Sequence, residues 1–70
     1  MAGREAKVEG YIIKESEKAI QVGQKDRGFW IPKSLMTYTL RMPVAQSPSF
    51  ICKIPLWKAE QEGMDYEEVD

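Results

Sequence analysis

The sequence predicts a mainly-β fold with minor α content: a small five-stranded antiparallel barrel or curved sheet, SH3-like or OB-like, with a short C-terminal helix. Three observations predict it. Short runs rich in Ile, Val, Tyr, Phe and Trp recur along the chain, and their apolar residues alternate in steps of two. The segments between these runs are polar or Gly/Pro/Ser-rich and too short to carry crossover helices. A single helix signature, opened by Pro55 and closed by Gly63, stands near the end.

In chain order, residues 1–7 are polar and aperiodic and are expected to form a flexible N-terminus ahead of a single β-rich domain over 8–63. Val8 to Glu15 reads as the first strand, and Lys18 to Val22 as the second, with Ile20 and Val22 on one face. The short polar link Glu15-Ser16-Glu17 makes these two an antiparallel pair. Gly23 to Gly28 is the clearest turn, bracketed by glycines able to take positive φ. It leads into Phe29-Trp30-Ile31, where Phe29 and Ile31 share one face and Trp30 points to the other. The strand is therefore either covered on both sides or offers a tryptophan to a partner.

After Pro32, Lys33 to Met36 is expected to make one turn that tucks Leu35 or Met36 under the sheet. Tyr38, Leu40, Met42 and Val44 alternate with polar residues as a half-buried strand, which Pro43 places at an edge or terminates. Ala45 to Ser49 is a loop, and Phe50 to Ile54 is the last strand, with Phe50, Cys52 and Ile54 facing the core. Residues 55–62 are the helix; about 12 Å long and unstable alone, it must dock through Leu56 and Ala59 with Trp57 beside them. Residues 64–70 are expected to be a mobile acidic tail touching the body through Met64 and Tyr66.

Seventy residues leave a small core, which makes association with a second copy an expectation. With one cysteine and no histidine, the chain can form neither an intrachain disulfide nor a Cys/His zinc site. Cys52, set among Phe50, Ile51 and Ile54, reads as a buried apolar residue suited to a reducing cytoplasm. No run of about 18 apolar residues is present and the first residues are not a secretory signal, so no membrane association is expected. Residues 1–58 hold ten bases and five acids, a formal +5. Residues 59–70 hold six acids and no base, a formal −6. Such a block is a solvated terminus, or it folds over the basic body, competes with an anionic ligand or engages a basic partner.

Catalysis is not expected. Without histidine there is no ready proton carrier near neutral pH, Glu15 and Glu17 lie in a polar turn, and the serines lack an activating base. No metal or cofactor motif is present: the 23–28 loop lacks phosphate-loop spacing and the acids do not follow a calcium-loop pattern. Binding remains. Lys25, Arg27, Phe29, Trp30 and Lys33 lie within nine residues, with Lys14, Lys18, Arg41 and Lys53 on neighbouring strands. On a curved sheet these residues suit a groove for single-stranded nucleic acid or a nucleotide, with bases stacked on Trp30 and phosphates held by cations. Alternatively Trp30 belongs to the core and the cations are solubility charges. The candidate contact residues are Arg27, Phe29, Trp30, Lys33, Lys25 and Arg41.

Trp30-Ile31-Pro32-Lys33-Ser34, followed by Ile54-Pro55-Leu56-Trp57-Lys58-Ala59-Glu60-Gln61-Glu62-Gly63, resembles a pattern of very small proteins encoded by bacteriophages and mobile elements, W-[IL]-P-K-S and then [IV]-P-x-W-x-A-E-x-x-G. The resemblance spans about residues 10 to 63, and the stretch from Met36 to Pro48 is longer than the pattern expects. It implies an accessory protein acting in the bacterial host cytoplasm by stoichiometric binding. Inhibition of a defence system is the implied role, by docking on a host protein or by sequestering a nucleotide signal. A nucleic-acid or nucleotide-binding module is the alternative, and a structural assembly component the third.

Overall fold

In the computed structural model, which describes residues 3–69, the elements follow in the order β1 (Glu5–Glu15), β2 (Ala19–Gln24), β3 (Arg27–Pro32), a 3-10 turn (Lys33–Leu35), β4 (Tyr38–Arg41), β5 (Phe50–Pro55), α1 (Leu56–Glu62) and β6 (Glu67–Val69). All pairings are antiparallel, and the strands run β3-β2-β1-β5-β4 across one curved sheet with β6 added beside β1. The sheet is open rather than closed into a barrel, and its two ends are β3 and β4. The mainly-β class and the C-terminal helix are as the sequence predicts; the strand count is six, not five.

β1 organises the sheet. Its first half, Glu5 to Gly10, pairs with β5, and its second half, Tyr11 to Glu15, pairs with β2. Gly10 sits where the partners change, because a Cβ there would run into the carbonyl oxygen of Gly23. Just beyond it the register slips between Ile12 and Lys14, leaving Ile13 as the extra residue of a bulge that bends the strand. Period-two alternation then does the rest. Ala6 and Val8 of β1, Ile20 and Val22 of β2, Phe29 and Ile31 of β3, and Phe50, Cys52 and Ile54 of β5 all turn to one side and are buried. Each large side chain so buried contributes about 1.5–3 kcal/mol.

α1 covers the inner side through Ala59, which is fully buried, and Leu56, which packs against the core; Trp57 stays exposed. Pro55 closes β5 and caps the helix from outside, one residue earlier than a first-turn proline would stand. At the other end Gly63 takes φ 73°, its N–H donates to the Glu60 carbonyl at 3.2 Å and the Met64 N–H donates to the Ala59 carbonyl at 3.1 Å. These two bonds make a Schellman motif, and the buried Met64 packs with Ala59 in the same core cluster, the apolar contact that accompanies such an ending. Among the described residues no helix is long and apolar enough to cross a membrane.

Four sequence expectations need correction. Residues 5–7 of the supposed flexible N-terminus are ordered in β1. Within the supposed mobile tail Met64 is buried and Glu67–Val69 pairs with Glu5–Lys7, while Asp70 and residues 1–2 lie outside the described residues. The fourth strand stops at Arg41, ahead of Pro43, and all four of its residues are exposed rather than half-buried. Gly23 and Gly28 belong to strands; the positive φ of the turn, 55°, falls on Lys25.

Candidate functional site

Gly23 and Gly28 face each other across β2 and β3, and neither has a side chain to fill the outer surface. Neighbouring residues occupy that space. The Tyr11 ring lies where a Gly23 Cβ would be, and the tip of Ile13 and the amide of Gln21 crowd the corresponding position at Gly28. The Tyr11 hydroxyl donates to the Lys25 carbonyl at 3.0 Å, tying the ring to the β2–β3 turn. Gln21 lies in register between Lys14 of β1 and Trp30 of β3. The outer face of this three-stranded half is thus a glycine-floored patch of Tyr11, Ile13 and Trp30, exposed by 42, 41 and 46%. Lys14 and Gln21 are its polar members.

The residues expected to form a cationic aromatic groove fall in three places. Trp30 is on the outer face and exposed, so the covered-tryptophan alternative is ruled out. Phe29 is only 5% exposed and belongs to the core; its stretch of strand faces inward, which removes it from any contact surface. Lys25 sits in the β2–β3 turn, paired with Asp65 at 3.5 Å, and Arg27 follows the turn with its guanidinium 5.0 Å from the Phe29 ring centre. Lys33 and Arg41 converge on Glu15: Lys33 approaches at 2.8 Å, and Arg41 donates to both carboxylate oxygens at 2.9 Å. The hydrogen bonds from Arg41, then Lys33, hold the Glu15 carboxyl down at about 2, and Arg41 is raised in turn. This cluster joins the ends of β1 and β3 to the edge strand β4.

The C-terminal acids turn back over the basic body. Glu67 pairs with Lys7 at 3.3 Å and raises its pKa, Glu68 pairs with Arg4 at 2.9 Å, and Asp65 pairs with Lys25. Tyr66 is raised as well, by burial and by Glu60, toward which its hydroxyl donates at 3.4 Å. Among the described residues, Lys14, Lys18, Arg27 and Lys53 are the bases without a carboxylate partner; Lys53 lies 5.4 Å from the Tyr38 ring centre. A cleft of about 550 Å³ opens between the Gly10–Gly23 crossing and the 44–49 loop, with Tyr11, Lys25 and Asp65 on its walls. Cys52 is sealed in the core, and burial pushes its thiol up to about 11. Among the described residues no group of three Cys, Asp or Glu side chains is placed to hold a metal ion.

Sequence reasoning finds Trp30 but misses Tyr11, Ile13 and Gln21 as its neighbours. The signal that could reveal them is the pair of glycines, which lie in cross-strand register once the turn is shortened to Lys25-Asp26. No protein-family model, curated protein or solved structure matches the chain.

Proposed function

We propose that this chain is a non-catalytic binding protein that docks a protein partner on the outer face built by Trp30, Ile13 and Tyr11. The single observation that carries the reading is the exposure of these three large side chains on one face of the sheet, with Lys14, which has no carboxylate partner among the described residues, in register beside them. A tryptophan flanked by apolar and amide groups is the composition of an interface hot spot. The partner is a protein surface with an apolar centre and a carboxylate positioned to meet Lys14. The biological form of the proposal, a phage-type accessory protein that inhibits a bacterial defence complex by occupying it in the host cytoplasm, rests on the sequence resemblance.

A nucleic-acid or nucleotide site is less well supported. Lys33 and Arg41 are engaged by Glu15 and Lys25 is paired with Asp65, so few cations remain to hold phosphates near Trp30. Affinity capture from lysate of phage-infected or defence-carrying bacteria, with wild type beside Trp30→Ala, tests the reading. The expected result is a captured protein whose affinity falls by about 30-fold or more in the variant and barely responds to moderate salt. A Trp30→Ala chain that stays folded and retains the same partner at unchanged affinity would falsify the site. Binding to single strands that weakens steeply with salt would favour the nucleic-acid reading instead.

A further inference from the structure

Among the described residues, the end of the sheet away from β3 and its Trp30 is an unpaired strand edge, β4, and its geometry makes it complementary to itself. β4 pairs with β5 in the register Tyr38↔Lys53, Thr39↔Cys52, Leu40↔Ile51 and Arg41↔Phe50, and the Met42 N–H donates to the Ser49 carbonyl at 2.8 Å. Backbone groups alternate in direction along an antiparallel ladder, so Tyr38, Leu40 and Met42 turn theirs toward β5 while Thr39 and Arg41 turn theirs outward. No described strand meets them there. Tyr38 and Leu40, exposed by 45 and 41%, stand on the outer face beside Ile51 and Lys53.

β4 is guarded only by its length of four residues and by Arg41 on its inner face opposite Phe50. From Tyr38 to Arg41 its pairing with β5 keeps one register, the Thr37 N–H just ahead of it also donating to the Lys53 carbonyl at 2.9 Å; Pro43 lies beyond its end, and its one charge, Arg41, is held by Glu15. The opposite edge differs, because β3 ends in Pro32, which has no N–H to offer.

We propose that two copies of this chain associate through β4, antiparallel about a twofold axis at Thr39, into one continuous sheet. In that register Thr39 faces Thr39 of the second copy with both backbone bonds formed, and the outward Arg41 N–H meets the Thr37 carbonyl. On the outer face Tyr38 meets Leu40 of the other copy, twice by symmetry. Arg41 lies across from Thr37, so no like charges are opposed. A shift of one residue would set apolar Tyr38 against Arg41 from the other face, which the alternation forbids. The same strand thus supplies both the polar edge and the matching apolar pair, and the occupant it fits is itself.

The test is sedimentation equilibrium of the purified full chain over a range of concentrations, with circular dichroism to check folding. The wild type is expected to populate a dimer that grows with concentration. Leu40→Lys, which places two extra charges in the joint, should raise the dimer dissociation constant by about tenfold or more. Thr39→Pro removes an outward N–H that the chain does not use and should abolish the dimer. Trp30→Ala should leave it unchanged. A wild type that is monomeric throughout overturns the proposal. So does a dimer that survives Leu40→Lys in folded protein, or one lost on Trp30→Ala alone, which would place the joint at the Trp30 patch on β3.

Discussion

The side-chain amide of Gln24 and the backbone of Asp65 are hydrogen-bonded in both directions. Nε2 donates to the Asp65 carbonyl at 2.8 Å and Oε1 accepts from the Asp65 N–H at 2.8 Å, while Nε2 also reaches the Glu9 carbonyl at 3.0 Å. One side chain from β2 thereby holds the chain between α1 and β6 in the same way that a strand partner would.

Gln24→Ala removes all three bonds. It should lower stability by about 1–2 kcal/mol in urea unfolding. Amide exchange at Glu67–Val69 should speed up more than exchange at β5. Unaltered exchange in that strand would mean the clamp is incidental and the ion pairs of Glu67 and Glu68 hold β6 by themselves.

The two glycines at the crossing of β1 and β2 differ in what yields. At Gly10 a Cβ meets the backbone carbonyl of Gly23, whereas at Gly23 it meets the Tyr11 ring, which is exposed and can swing away. Gly10→Ala should therefore cost about 3 kcal/mol or more and Gly23→Ala about 1. Set against a total of roughly 4–10 kcal/mol for a chain of this size, the first variant is near the limit of folding. Thermal melts of the two, with Gly3→Ala as a control that meets nothing, decide the order.

Lys25 takes φ 55° in the two-residue turn, a region that costs a side-chain-bearing residue about 1–2 kcal/mol. Lys25→Gly should raise stability by about 0.5–1 kcal/mol, the relief exceeding the loss of an exposed ion pair with Asp65. Lys25→Val should lower it by more than about 1 kcal/mol. Equal melting of the glycine and valine variants would contradict the turn geometry.

Glu15 binds a proton more weakly in the folded chain than in the unfolded one, because Arg41 and Lys33 hold its carboxyl at about 2 against an ordinary 4.5. Its contribution to stability is therefore full above about pH 4.5 and fades as the pH falls through the window from 4.5 to 2. Glu15→Gln should be less stable than wild type at neutral pH, and the gap should close on acidification. Unfolding curves that stay parallel across that window would remove the carboxylate from the account.

Period two makes the faces of the sheet legible in the sequence: Phe29 and Ile31 fall against Trp30, and Ile20 falls with Val22. The outer patch is harder to read because it depends on register. A turn of two residues rather than six sets Gly23 against Gly28, and only that pairing brings Tyr11 and Ile13 beside Trp30. The sixth strand is hidden for another reason. Glu67-Glu68-Val69 has neither length nor β propensity, and its partners are all distant in sequence: it pairs with Glu5–Lys7, its acids meet Lys7 and Arg4, and Gln24 bonds Asp65 from 41 residues away. The cations mislead in the same way, since the carboxylate that engages Lys33 and Arg41 arrives from β1.

The Schellman reversal at Gly63 brings Val69 alongside Glu5, so the two described ends of the chain are neighbours. A linker of a few residues would join them into a ring, and a fresh start could be cut into the 42–49 loop without severing a strand. Circular permutants opened there should rebuild the same sheet, with strand order along the gene changed and strand order in space preserved.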